Sequence, residues 1–541
     1  MSSRSKVSRR RFLAGAAAAG GAAGLVLAGC GGGEEKNETQ VTATPGVVGQ
    51  PKKGGTIHLS SSTAILSLDT STTEGSTVAP YFYSYVVQTT DWHAPEYTIG
   101  DLAESWETPD DTHWIFHLRG DVNFQNVAPA NGRLLVAEDV VKSIDCYRSV
   151  PGAPAASLGW DQWTERYEAP DARTFKETTK KPYGYFLYDL GSPATAIMAM
   201  EAVDQFGDLK THVAGSGPYT LKSYDPNVAL EMLRNPTYYQ QYPYVDGLSV
   251  KVYTDDSAAQ AAFRAGQIDA YNATTKPRAD NVGNASGVTV QKFLDRIYTV
   301  FMMNAVHEPK FKDERIREAV DLALDRKQMI DKLCFGDGEL AGPVPPLWPA
   351  ALPAEEIEAA YKRDVTKAKQ LLSAAGASDL TFDLSFGAYQ DNPDRAAIIK
   401  SNLAEAGITV NLQSADIGSW LNNLMSNNFV STTFAHLRYL SDYIQINWAH
   451  SHGWGHNDTG YTGVDDPQVD AMLDQINGTI DDQARMKLEQ DMQRLVLKRH
   501  GPTLTLYEPY AYWAAYDYVK GYTPTSYGFG LYKYDYWIDK G

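Results

Sequence analysis

A chain of 541 residues is longer than one hydrophobic core supports, so two or three lobes are expected. Hydrophobic residues at 43% exclude a disordered chain, and 33 tyrosines supply apolar rings with polar tips, suited to a large core or a ligand-contacting cleft. The formal charge is −18, yet the first 29 residues hold Arg4, Lys6, Arg9, Arg10, Arg11 and no acid; the acidic remainder repels phosphates, which excludes nucleic acid as the main partner.

The N-terminus reads as a targeting segment rather than as part of the fold. Ser8-Arg9-Arg10-Arg11-Phe12-Leu13 matches the twin-arginine export pattern, and a weakly apolar Ala/Gly stretch follows from Ala14 to Gly29. Its glycines disfavour a permanent membrane helix. Leu27-Ala28-Gly29-Cys30 reads as a lipobox, so residues 1–29 are expected to be removed and Cys30 to be acylated. Residues 30–55, rich in Gly, Glu, Thr, Pro and Lys, are expected to form a flexible tether. Twin-arginine export carries folded cargo, so Cys146 and Cys334 are expected to be buried free thiols.

Strands and helices should alternate from Thr56 onward. Ala137–Ser143 opens a helix with Val140, Ile144 and Tyr147 on one face. The small residues of Gly215-Ser216-Gly217 suit a backbone crossing. Gly247–Tyr253 alternates like a strand, Asp255 or Asp256 caps a helix with Ala259, Ala262 and Phe263 inward, and Gly266 ends it before a strand from Gln267 to Tyr271. Asp364–Gly376 reads as a helix capped by Asp364, with Ala368, Leu371, Leu372 and Ala375 buried. Leu380–Phe386, Asp394–Ala406 and Ile408–Leu412 repeat the strand, helix, strand order. Both three-element runs predict β-α-β units with right-handed crossovers.

No Walker A, G-x-S-x-G, H-E-x-x-H or C-x-x-C pattern occurs, which argues against an enzyme; a secreted hydrolase is the weaker alternative. His450, His452 and His456 fall within seven residues and could ligate a transition metal, against the plainer reading of a glycine-rich loop.

Four blocks in order carry a family resemblance. They are Asp101-Leu102-Ala103-Glu104-Ser105-Trp106 with Trp114–Arg119 and Ala137–Ser143; Gly215–Tyr219 with Arg234-Asn235-Pro236 and Ala265-Gly266-Gln267-Ile268-Asp269; Phe311–Ala319 with Ala323-Leu324-Asp325-Arg326; and Lys367–Leu372 with Ala374-Ala375-Gly376. Together they resemble the family 5 extracellular solute-binding proteins, the peptide and nickel-binding group of ABC transporters. The resemblance implies an α/β, periplasmic-binding-protein-like fold of two lobes closing about a hinge, with an additional third lobe. It places lobe I at 56–96, 211–302 and 506–541, the extra lobe at 97–210, and lobe II at 303–505.

The implied function is capture of peptides or a related small cationic solute and delivery to the permease of an ABC importer. The protein would be a monomer on the outer side of the membrane, held by its lipid anchor. No cofactor is implied; a metal or metal chelate is the alternative cargo. By the same resemblance Asp442 would hold the ligand's ammonium, beside Tyr443, with Tyr439 and Trp420 facing the ligand. Asn427 and His436 stand where some oligopeptide binders have arginines for the ligand carboxylate.

Overall fold

Residues 50–89, 98–150, 160–294, 297–346, 348–389, 391–437, 462–524, 531–532 and 535–540 are described by the structure, a computed structural model. Strand β1 (Thr56–Ser61) starts where the tether composition gives way to apolar alternation, with Ile57 and Leu59 buried. Helix α1 (Thr73–Phe82) follows, its start fixed by the Thr72 hydroxyl, which accepts from the Gly75 amide at 3.0 Å.

Next come β2 (Ala103–Glu107), β3 (His113–Leu118), α2 (Ala137–Ser149), β4 (Thr164–Asp171) and β5 (Thr174–Thr179). The strands form an antiparallel sheet in the order β2-β3-β5-β4, and α2 covers it with Val140, Ile144 and Tyr147, the face read from the sequence. Under this sheet lie two buried carboxyls. Glu177 is 1% exposed; its Oε1 accepts from the Thr164 hydroxyl at 2.6 Å, while Oε2 has no partner among the described residues. Burial pushes both Glu177 and Asp189 up to about 8, with the Tyr183 hydroxyl donating to Asp189.

A raised folded-state value means the folded chain keeps a proton that the unfolded chain has released. Stability therefore falls as pH rises from the ordinary carboxylate range to about 8, and levels off above it. Glu177→Gln should flatten that slope and raise the melting temperature at the alkaline end. Melting curves across this pH range check it; a parallel, uniformly lower curve for the variant would contradict it.

Strands β6 (Tyr219–Asp225), β7 (Ala229–Arg234) and β8 (Gly247–Val252) join β1 in a sheet ordered β1-β8-β7-β6, with β1 parallel to β8. The chain reaches β6 by crossing α1's C-terminus. A Cβ on Gly215 would lie 2.1 Å from the Phe82 carbonyl oxygen, and one on Gly217 would lie 2.4 Å from the Phe82 carbonyl carbon. That backbone crossing is why the stretch needs glycine.

Helix α3 (Asp256–Arg264) is capped by Asp255, buries Ala259, Ala262 and Phe263, and ends before Gly266 at φ +67°. Strand β9 (Ala270–Ala273) starts later than the sequence suggested, and it does not pair with β8. The predicted β-α-β unit here therefore spans two different sheets. Helix α4 (Lys276–Gly283), β10 (Val288–Leu294), β11 (Ile297–Met303), α5 (Glu314–Ala323), α6 (Arg326–Leu333) and α7 (Val365–Ala374) follow. Asp325 and Asp364 cap α6 and α7, the second as the sequence predicted.

The predicted unit after α7 is present: β12 (Thr381–Gly387), α8 (Asn392–Glu405) and β13 (Thr409–Ala415), with β12 and β13 parallel. Helix α9 (Ile417–Met425), β14 (Ser431–Leu437), α10 (Pro467–Asn477), α11 (Asp482–Lys498), β15 (Thr503–Thr505) and β16 (Glu508–Tyr516) complete the chain's main elements. Two further sheets result, β9-β16-β10 and β13-β12-β14-β11-β15. Each has a private core on one face: Phe263, Tyr271, Val282 and Tyr512 under α3 and α4, and Phe301, Phe382, Leu384 and Leu403 under α5 and α8. Cys146 and Cys334 are free, Cys334 buried as expected and Cys146 only half-buried. Among the described residues no helix is long and apolar enough to cross a membrane.

Candidate functional site

Two neighbouring strands carry the chain between the last two sheets. Strand β10 runs on to β11 with only residues 295–296 between them, and β15 to β16 with only Leu506 and Tyr507. β10 pairs with β16 in one sheet and β11 with β15 in the other, both antiparallel. Such a double crossing lets two bodies turn while each keeps its own core. The link is tightly bonded at Thr299, whose amide and hydroxyl donate to the Tyr507 carbonyl at 2.9 and 2.8 Å. The Tyr507 hydroxyl donates to Asp391 Oδ2 at 3.0 Å, and the fully buried Arg395 donates to Asp391 Oδ1 at 3.1 Å. The crossing is thereby fastened to the turn between β12 and α8.

That turn lies where open α/β sheets bind their ligands. The chain leaves β12 through α8 on one face, reaches β13, then returns through α9 on the other face to β14, on the far side of β12. The carboxyl ends of β12 and β13 thus stand side by side next to β14 at a reversal of winding, the place where such sheets bind their ligands. Three aromatic rings mark this region. Trp420 of α9, 3% exposed, packs 6.0 Å from the Tyr389 ring and 5.3 Å from that of Phe434. Its indole N–H donates to Thr432 Oγ1 at 3.0 Å, and that hydroxyl donates to the Ser385 carbonyl, also at 3.0 Å. A Cβ on Gly387 would touch the Tyr389 ring at 2.6 Å, so glycine is what lets the tyrosine fold back there.

The other sheet contributes a donor and an acceptor. Asn272 of β9 and Trp513 of β16 are paired in register. Alternation places them opposite the private core that holds Tyr271 and Tyr512. The Trp513 indole N–H and Asn272 Oδ1 are both buried without a hydrogen-bond partner among the described residues. Leaving such groups unmet is costly, so they mark a place where a bound molecule with its own donor and acceptor would be favoured. Trp513 belongs to the large apolar cluster that also holds Trp420 of α9 and Val300, Met302 and Phe434 of the five-stranded sheet.

Of the residues singled out from the sequence, Trp420 sits in this region. His436 stands on β14, opposite Tyr298 of β11. Tyr439, Asp442 and Tyr443 lie outside the described residues, as do Cys30, His450, His452 and His456; the chain enters the segment with the first three just beyond Leu437, the end of β14. Asn427 lies before the other end of β14, at φ 57°, its Oδ1 accepting from the Asn304 amide group at 2.7 Å. That is a structural bond before the amino end of the strand. Among the described residues no three His, Cys, Asp or Glu side chains gather to hold a metal. A separate hollow of about 270 Å³, lined by Asp110, His113, Arg166, Glu168 and Lys176, belongs to the β2–β5 sheet and is unconnected with the two-strand crossing. Sequence reading missed Tyr389, Asn272, Trp513 and the Asp391–Arg395–Tyr507 set; period-two alternation in β16 was the available signal for Trp513.

Solved structures share this architecture, which is a periplasmic-binding-protein-like α/β fold. The ABC transporter-associated periplasmic binding protein DppA of Helicobacter pylori, in complex with peptide STSA, matches 90% of this chain and 99% of its own, with TM-score 0.75 and 21% identity. NikA of Staphylococcus aureus, in complex with Ni(L-His)2, matches 90% of this chain and 100% of its own, with TM-score 0.71 and 20% identity. The profile of the bacterial extracellular solute-binding proteins, family 5, middle region, matches residues 98–454, and the chain belongs to that family. A curated relative, the probable D,D-dipeptide-binding periplasmic protein DdpA of Escherichia coli K12, is 28% identical over 329 residues. The match covers 58% of this chain and spans about three-fifths, 60%, of that relative's length.

Proposed function

We propose that the chain is the extracytoplasmic receptor of an ABC importer, closing over a peptide or related small cationic solute and handing it to the permease. The observation that carries this reading is the pair of sheets joined by two adjacent strands, with an unmet donor and acceptor on one and an aromatic group beside the other. A solute that touches both faces stabilises the closed form by its differential affinity, with no chemistry required. In this reading residues 56–96, 211–302 and 506–541 form lobe I, 97–210 the extra lobe, and 303–505 lobe II. Residues 1–29 direct export, and acylated Cys30 with the tether 30–55 keeps a monomeric receptor beside its transporter.

Asp442 is the proposed anchor for the solute's ammonium, with Tyr439, Tyr443 and His436 around it and Trp420 shaping the pocket from α9. The names of relatives support a peptide-like cargo, since DdpA is named for a D,D-dipeptide and the DppA structure holds a peptide. The NikA structure, with its nickel-histidine complex, supports the second reading, a metal chelate, for which His450, His452 and His456 are the candidate ligands.

Native mass spectrometry of protein from its own source tests the first reading. A cationic solute should be retained by the wild type and lost from most molecules of Asp442→Ala; equal retention would remove Asp442 as its anchor. Nickel retained by the wild type and released by His452→Ala would favour the chelate instead.

A further inference from the structure

The strap from Pro182 to Leu190 reaches from the lobe of the β2–β5 sheet to the turn between α10 and α11. It is rooted at home by Tyr183, stacked on Trp163 at 4.4 Å, and by Phe186, 4.7 Å from Trp114. At its tip the Gly184 amide donates to the Asn477 carbonyl at 2.7 Å. The approach is close enough that a Cβ on Gly184 would lie 2.2 Å from the Thr479 carbonyl oxygen. The Tyr185 hydroxyl donates to Glu489 of α11, and the Arg485 guanidinium sits 4.8 Å from the centre of the Tyr185 ring. Arg485 also donates to the Thr479 carbonyl at 3.2 Å and approaches Glu489 to 3.7 Å. Tyr185, Arg485 and Glu489 are all buried. Helix α11 in turn leads into β15 of the five-stranded sheet, and Arg317 of α5 donates to the His500 carbonyl just past it at 2.8 Å.

We propose that the Gly184–Tyr185 strap is a latch that grips the α10–α11 turn when the molecule is shut and lets go when its lobes part. This rests on the hinge-closure reading above, in which the strap and α11 belong to different moving bodies. The chemistry of the seam fits a reversible contact. Its specific bonds join a tyrosine, a carboxylate, a guanidinium and a backbone amide, each of which water solvates well on opening, so closing and opening stay near balance.

Full-length protein, compared as purified with its solute and after stripping by dialysis against guanidinium and refolding, provides the test by X-ray scattering and amide exchange. Tyr185→Phe and Glu489→Gln should each enlarge the radius of gyration of the solute-loaded protein toward that of the stripped wild type and speed exchange roughly tenfold, together, in the strap and in the α10–α11 turn. Should either fail to fold, Gly184→Ala, whose methyl group would collide with the Thr479 carbonyl, serves instead. A merely structural contact would lower the melting temperature and leave the radius unchanged. If stripping enlarges the wild type but the loaded variants stay as small as the loaded wild type, the latch is overturned and hinge closure stands. If neither stripping nor substitution changes the radius, hinge closure itself falls and the latch with it.

Discussion

Asn272→Ala should reduce the fraction of molecules that retain co-purified solute by about tenfold in binding constant, equivalent to roughly 1.4 kcal/mol, while leaving the stripped protein as stable as wild type or slightly more so. The two halves of this expectation have one cause. Asn272 Oδ1 has no partner among the described residues, so in the empty protein its removal breaks no acceptor bond and relieves a buried polar atom. Its worth appears only when a solute donates to it. Trp513→Phe removes the neighbouring indole N–H and should weaken retention similarly, though it also sheds ring volume and costs some stability. Solute occupancy by native mass spectrometry and melting curves of stripped protein read the two halves separately. Unchanged occupancy with a lower melting point would make both residues structural.

Arg326→Met should cost about 3–5 kcal/mol of stability, the largest loss expected from a single polar side chain here. The guanidinium is buried, donates to Asp321 Oδ1 at 2.6 Å and to the Thr505 carbonyl at 2.9 Å, and lies 3.7 Å from the centre of the Tyr361 ring. It thereby ties α5, α6 and β15 together next to the inter-sheet crossing. Burial by itself would raise the Asp321 carboxyl, but Arg326 and His500, whose Nδ1 lies 2.8 Å away, outweigh it and hold the group below the usual range. Without Arg326 that carboxylate loses its closest cation. Denaturant unfolding measures the loss, and Asp321→Leu combined with Arg326→Met should lose less than the two single changes summed, because the pair is coupled. Additive losses would mean that the ion pair contributes nothing beyond its parts.

Local chemistry was legible in the sequence where a single turn or face decided it. Asp255, Asp325 and Asp364 cap their helices because a carboxylate followed by an apolar period leaves few other options. The β12–α8–β13 unit was readable for the same reason, although α8 starts at Asn392 rather than Asp394, with Pro393 accommodated in its first turn. The link from β8 through α3 to β9 was misread because a strand's partner is a long-range fact: β9 pairs with β16, more than two hundred residues later. Trp513 and Asn272 were invisible as a pair for that reason. Trp420 entered through family resemblance, and its hydrogen bond to Thr432 depends on α9 folding back over β14, which no local pattern encodes. The anchor proposed at Asp442 rests on resemblance and on its place in the chain just beyond β14.

The central claim is that one solute is held, unaltered, between two bodies that close on it. Ion-mobility native mass spectrometry of protein from its own source measures stoichiometry, solute mass and size in one experiment. One intact solute per chain, with a smaller collision cross-section for the loaded protein than for the stripped protein, is the expected result. Equal cross-sections with no bound solute, or release of a chemically changed solute, would contradict it.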